Sequence, residues 1–146
     1  PAGVPVLVSG SIVERPTIMD MIASAGGRVA ADDLCNGLRQ ILPVAGDGKT
    51  PMDRLIHRTL HRFPCPSRSR AVDRSRRLLD ILHQSRAKGV IFIVQKFCTP
   101  HLADIPMLSD ILKHNGFPCL TVEMDETWEM AGQVRTRLEG FFEMIG

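Results

Sequence analysis

Tyrosine is absent from these 146 residues, and aromatic side chains make up only 5% of them. Surfaces that stack unpaired bases need such rings, so nucleic acid is not an expected partner, whatever the arginines discussed below suggest. No apolar stretch approaches the roughly 18 residues that cross a bilayer, and no charged opening leads into a small-residue cleavage site. A soluble, cytoplasmic protein with no membrane partner is expected. The four cysteines, Cys35, Cys65, Cys98 and Cys119, lie far apart with no CxxC and no paired zinc spacing. Neither a disulfide scaffold nor a structural zinc site is indicated, and reduced thiols are expected. The chain opens on Pro1 without an initiator Met and enters a strand-like run almost at once. This points to a fragment cut at a domain boundary or to a processed product, so residues needed for function are expected upstream. Internal repeats and low-complexity segments are also missing.

A hydrophobic content of 44% in a chain of this length suffices for one core and hardly for two, so residues 1–146 are expected to form a single α/β domain. The most informative stretch is GVIFIVQKFCTPH, from Gly89 to His101. Val90, Ile91, Phe92 and Ile93 read as a strand buried on both faces, as in parallel sheets, with Cys98 just past its carboxyl end. In open α/β sheets ligands collect at that edge. Val4 to Val8 reads as a first strand closing on Ser9, Gly10 and Ser11. Pro16 suits the first turn of a helix, whose stripe is Ile18, Met19, Met21, Ile22 and Ala25 and which Gly26 and Gly27 stop. Arg28 to Ala31 is a short second strand ending at Asp32 and Asp33, with Cys35 two residues beyond.

From Asn36 to Ser69 the pattern is irregular, with several prolines bracketing a helix of about Met52 to Arg62, and it reads as a functional or partner-facing insertion. Ala71 to Arg86 reads as a helix with Val72, Leu78, Leu79 and Leu82 inward and arginines outward. Asp104 to His114 is a further helix, Phe117 to Val122 a fourth strand, and Glu126 to Ile145 a closing helix. Alternation of strand and helix implies parallel pairing, giving a small doubly wound parallel sheet of about four strands, order 2-1-3-4, with helices on both faces. In that order the loops at Ser9–Ser11 and Lys96–His101 flank the switch-point crevice.

Eight of the fourteen arginines fall between Arg54 and Arg77, where Asp73 is the only acid, a local charge of about +7. A solvated face, a subunit interface and a site for CoA phosphates all remain open. His57 and His61 share a helix face at metal-capable spacing, but without the acid of HExxH they read as part of the basic face. A lone cysteine at a strand end is more often a small hydrophobe than a ligand. Cys119 in an apolar strand and Cys65 in a proline-flanked loop read as packing residues, and Cys35 as structural or lining the site.

Three segments, GGRVAADDLCNGLR (Gly26 to Arg39), IFIVQKFCTPH (Ile91 to His101) and GQVRTRLEGFFE (Gly132 to Glu143), carry a resemblance across nearly the whole chain. Together they resemble the carboxyl-terminal domain of the 2-hydroxyacyl-CoA dehydratase and benzoyl-CoA reductase family, of the 2-hydroxyglutaryl-CoA dehydratase D-component type. The resemblance implies an iron-sulfur domain of an oxygen-sensitive subunit that dehydrates a (R)-2-hydroxyacyl-CoA by ketyl-radical chemistry. Cys98 would be one of three thiolate ligands to iron of a 4Fe-4S cluster, the other two coming from the preceding domain of the same subunit. The implied partners are that domain, a second dehydratase subunit, an ATP-dependent activator protein and the acyl-CoA substrate. Lys96 and His101 would donate hydrogen bonds or positive charge near the cluster sulfurs, with Ser9 and Ser11 supporting from the neighbouring loop. The isolated chain would hold an incomplete cluster or none, and would be inactive. The alternatives are a benzoyl-CoA reductase subunit and a non-catalytic assembly module with the same fold.

Overall fold

The computed structural model describes residues 2–41, 46–124 and 131–146. Four strands, β1 (Val4–Gly10), β2 (Gly27–Leu34), β3 (Gly89–Gln95) and β4 (Cys119–Met124), form one all-parallel sheet in the order β2-β1-β3-β4. Around it lie α1 (Thr17–Ser24), α2 (Leu38–Ile41), α3 (Pro51–Leu60), α4 (Ala71–Ser85), α5 (Thr99–His114) and α6 (Ala131–Ile145). The expected α/β class and strand order are both present.

Alternation along the strands divides the core into two layers. Val6, Val8, Ile91, Ile93 and Val122 meet Ile18 and Ile22 of α1 and Val134, Leu138, Phe141 and Phe142 of α6 on one face. Leu7, Val90, Phe92 and Val94 meet Leu78, Ile81 and Leu82 of α4 and Ile105, Leu108 and Leu112 of α5 on the other. Val90 to Val94 are all 0% exposed, so β3 is the strand that holds the two layers together. Each such side chain, fully buried, contributes about 1.5–3 kcal/mol of transfer free energy.

Several boundaries differ from the expectation. β2 runs on through Asp32 and Asp33 to Leu34, because Asp33 finds partners for its charge inside the fold rather than in a turn. α5 begins at Thr99 rather than Asp104, since Pro100 falls in its first turn, where a missing N–H costs nothing. β4 begins at Cys119 rather than Phe117. Of the expected closing helix, Ala131–Ile145 is present and residues 126–130 lie outside the described residues, as does Pro43 in the irregular stretch. In α4, Val72 is 48% exposed and Ile81 packs in its stead, while Arg74, expected outward, is 1% exposed.

Candidate functional site

The carboxyl edge of the sheet is drawn tight by β1 and β3. Gly10 ends β1 at φ 151°, and a Cβ there would collide with the Ile93 carbonyl oxygen, so only glycine allows the two strands this approach. The next residue fastens the contact: the Ser11 N–H donates to the Ile93 oxygen (3.0 Å), and the Ser11 hydroxyl accepts from the Gln95 N–H (2.9 Å). The chain then turns sharply after β3. Phe97 takes a left-handed φ of 65°, the Cys98 N–H donates back to the Gln95 carbonyl (3.1 Å), and the Thr99 N–H donates to the Phe97 carbonyl (2.8 Å). A non-glycine residue in that region costs roughly 1–2 kcal/mol, which the surrounding hydrogen bonds must hold. The turn leaves the Phe97 ring 90% exposed and seats Cys98 at the cap position of α5, where its side chain makes no capping bond.

Beneath this turn lies a connected set of polar side chains. Asp33 accepts from the Ser9 hydroxyl (3.0 Å) and takes a forked contact from Arg39, Nε to Oδ1 at 3.1 Å and Nη2 to Oδ2 at 2.7 Å. Both partners of that pair are over nine-tenths buried, and the fork is what makes so dry an ion pair tolerable. Arg39 Nη1 also reaches the Cys35 sulfur (3.2 Å), and His101 Nε2 lies 3.5 Å from the same atom. Burial raises the Cys35 pKa; Arg39 opposes the rise, while Cys65, Cys98 and Asp33 add to it as negative charges. Cys65 and Cys98 thus each lie within electrostatic reach of Cys35. His101 is 2% exposed and its pKa is pushed down to about 3, by burial first and then by Arg74 and Arg39, so its ring is neutral at physiological pH. Arg74 donates to Asp104 (2.8 Å), while its Nε and Nη2, like His101 Nδ1, are buried with no partner among the described residues.

The expected residues therefore separate. Cys98 and Lys96 occupy the turn above the edge, Lys96 exposed and donating its backbone N–H to the Met124 carbonyl (2.8 Å). Ser9, Ser11 and His101 lie below it, buried, with the two serine hydroxyls engaged in ties between strands. Cys35 joins the buried set, and Cys65 approaches it from the turn it forms with Arg68 and Ser69. Cys119 is half-buried against the α4–α5 layer, and burial pushes its thiol up to about 11. His57 and His61 stack at 3.9 Å at the end of α3, and no metal-holding group is found with them among the described residues. The residues that composition and spacing passed over are Asp33, Arg39, Arg74 and Asp104, all held by pairings distant in sequence except Arg39.

No group of three His, Cys, Asp or Glu side chains among the described residues is gathered as a metal ion requires. The thiol of Cys98 has the right chemistry for iron, but these residues do not make up a cluster site. A recess beside β2, lined by Asp33, Arg39, Phe63, Arg77 and Ile81 among others, holds about 240 Å³. No described helix is long and apolar enough to cross a membrane.

Residues 1–145 match the family model described as 2-hydroxyglutaryl-CoA dehydratase, D-component. The chain is 24% identical over 140 residues to the (R)-phenyllactyl-CoA dehydratase beta subunit of Clostridium sporogenes, covering 96% of this chain and 37% of that protein. It is 28% identical over 148 aligned residues to the lactoyl-CoA dehydratase beta subunit of Anaerotignum propionicum, covering 98% and 39%. A benzoyl-CoA reductase subunit of Thauera aromatica is also 28% identical over 148, with 96% and 38% covered. The chain spans less than two-fifths of the length of each of these relatives.

Proposed function

The chain belongs to the 2-hydroxyglutaryl-CoA dehydratase D-component family, and from that membership we propose that it is the carboxyl-terminal α/β domain of a 2-hydroxyacyl-CoA dehydratase subunit. The observation that carries the reading is the family match over residues 1–145, joined to relatives named as dehydratase beta subunits. On this reading the protein acts with a second subunit and an ATP-driven activator on a (R)-2-hydroxyacyl-CoA, in the cytoplasm. A reductase reading stays alongside it, supported by the benzoyl-CoA reductase relative at equal identity.

Within that function the turn at Lys96–Thr99 contributes one thiolate, Cys98, to a 4Fe-4S site whose remaining ligands come from sequence outside this chain. Bound there, such a cluster supplies single electrons. This chain's own residues do something simpler: they hold Cys98 at a defined height above the sheet edge. Gly10, Ser11 and Gln95 fix the base of the turn, and the Phe97 conformation aims the cysteine. His101, kept neutral by burial, and the Arg39–Asp33 pair fill the space beneath without adding an unpaired negative charge.

The test is anaerobic reconstitution, with iron and sulfide, of the full-length polypeptide that contains this chain, with and without Cys98→Ser. Iron near four per subunit with visible absorption, both depleted by the substitution, is the expected result. Equal iron in the two proteins would remove Cys98 from the site and leave the resemblance one of fold.

A further inference from the structure

The recess of about 240 Å³ beside β2 is walled by residues of β2, α2 and α4 together with Phe63. At roughly 30 Å³ of liquid per water molecule, it has room for a compact organic molecule and not only for a single ion. Its charged side chains fall into two pairs that behave differently. Asp33 and Arg39 neutralise each other in a buried fork, so they form a wall and offer a ligand little. Asp32 and Arg77 are not joined in this way.

Asp32 Oδ1 accepts the Leu34 and Leu38 N–H groups (3.2 and 2.8 Å), and a Cβ at Gly37 would collide with that same oxygen, so the carboxylate is held in one orientation. Its Oδ2 takes no hydrogen bond and no ion pair among the described residues. Arg77 carries its Cζ 4.1 Å from the centroid of the Phe63 ring. A guanidinium seated on a ring face is fixed by cation–π attraction, while its N–H groups lie in its own plane and stay open to acceptors. Those of Arg77 meet none among the described residues. The recess therefore holds one preset cation and one preset carboxylate oxygen, both without partners, beside an apolar lining of Leu38, Phe63 and Ile81.

A complementary molecule needs an anion for Arg77, a hydrogen-bond donor for Asp32 and a short apolar body. An inorganic anion gives the apolar lining nothing, and a simple alkanoic acid brings Asp32 no donor, leaving a carboxylate desolvated without a partner. We propose that the recess binds a compact carboxylic acid that also carries a hydroxyl or ammonium group, its carboxylate forked on Arg77 and its donor on Asp32 Oδ2. This holds whether or not the chain serves a dehydratase, since Cys98 takes no part in it.

Isothermal titration calorimetry of the full-length polypeptide that contains this chain, with three acids of one carbon skeleton, provides the test. Isovalerate carries the carboxylate alone, 2-hydroxyisovalerate adds a hydroxyl, and valine adds an ammonium group. Saturable binding of 2-hydroxyisovalerate or valine, at least about tenfold tighter than isovalerate, is expected, and the acid that binds identifies the donor. Arg77→Gln is expected to weaken that binding at least about tenfold. Asp32→Asn keeps an oxygen for the Leu34 and Leu38 N–H groups but replaces Oδ2 by an amide nitrogen, so it is expected to erase the preference over isovalerate, an outcome readable even if Arg77→Gln unsettles the Phe63 contact. No saturable heat from any of the three acids overturns the proposal. Equal affinity for isovalerate does so too, and so does binding that either folded variant leaves unchanged, which would place the acid elsewhere on the polypeptide. Iron content with and without Cys98→Ser decides the dehydratase reading separately.

Discussion

Protonation of His101 should weaken the fold measurably as the solution is acidified. The ring is 2% exposed, its Nε2 faces the Cys35 sulfur, and two guanidinium groups, Arg74 and Arg39, act on it from α4 and α2. The carboxylates in this network, Asp33 and Asp104, are engaged by those same arginines, so neither is left to offset them at the ring. The pKa falls from the ordinary 6.5 to about 3. Between these values the unfolded chain binds a proton that the folded one does not. Stability is therefore fully present above about pH 6.5 and is lost as pH falls toward 3, with a slope approaching about 1.4 kcal/mol per pH unit. Over the window this amounts to a few kcal/mol, a sizeable part of the roughly 5–15 kcal/mol that holds a domain together. Urea unfolding followed by far-UV circular dichroism at pH 7, 6, 5 and 4 reads the slope directly. His101→Gln provides the reference, since it shares every other titrating group. The difference between the two curves should grow on the acid side of pH 6.5 in favour of the variant. Parallel curves would refute the claim that a neutral, buried imidazole is held between the two arginines.

Two further substitutions probe the scaffold under Cys98. Gly10→Ala sets a methyl against the Ile93 backbone at a left-handed φ, and neither atom can yield; a loss of about 1–3 kcal/mol or outright failure to fold is expected, read as a fall in Tm, and an unchanged Tm would mean that β1 and β3 separate freely at this edge. Arg39→Met strands the buried Asp33 carboxylate and should cost about 3–5 kcal/mol in urea unfolding, with Asp33→Asn added to it recovering part of the loss; a double variant no better than the single would remove the ion pair as the reason for β2's final turn of chain.

The parts of this molecule legible in the sequence are those whose cause is local. The apolar run Val90 to Val94 announces a strand buried on both faces, and the alternation of such runs with helical stripes is enough to order the sheet. Asp32 and Asp33 misled because two adjacent carboxylates ordinarily end a strand. Here Asp32 Oδ1 accepts the Leu38 N–H (2.8 Å) to start α2, and Asp33 is neutralised by Arg39, so the strand continues. The start of α5 was also placed too late, since Pro100 falls in its first turn. Arg74 is the more instructive case. Its position falls on one helical stripe with Leu78, Ile81 and Leu82, so spacing alone points it inward, and only its charge argues otherwise. The partner that reverses that judgement, Asp104, lies thirty residues away on another helix. Charged residues at inward positions are thus where a local reading fails, and in this fold they gather in one place, beneath the turn that carries Cys98. The cysteine was visible because it follows a strand end; the arginines, carboxylates and imidazole beneath its turn were hidden because their contacts join segments that no local pattern links.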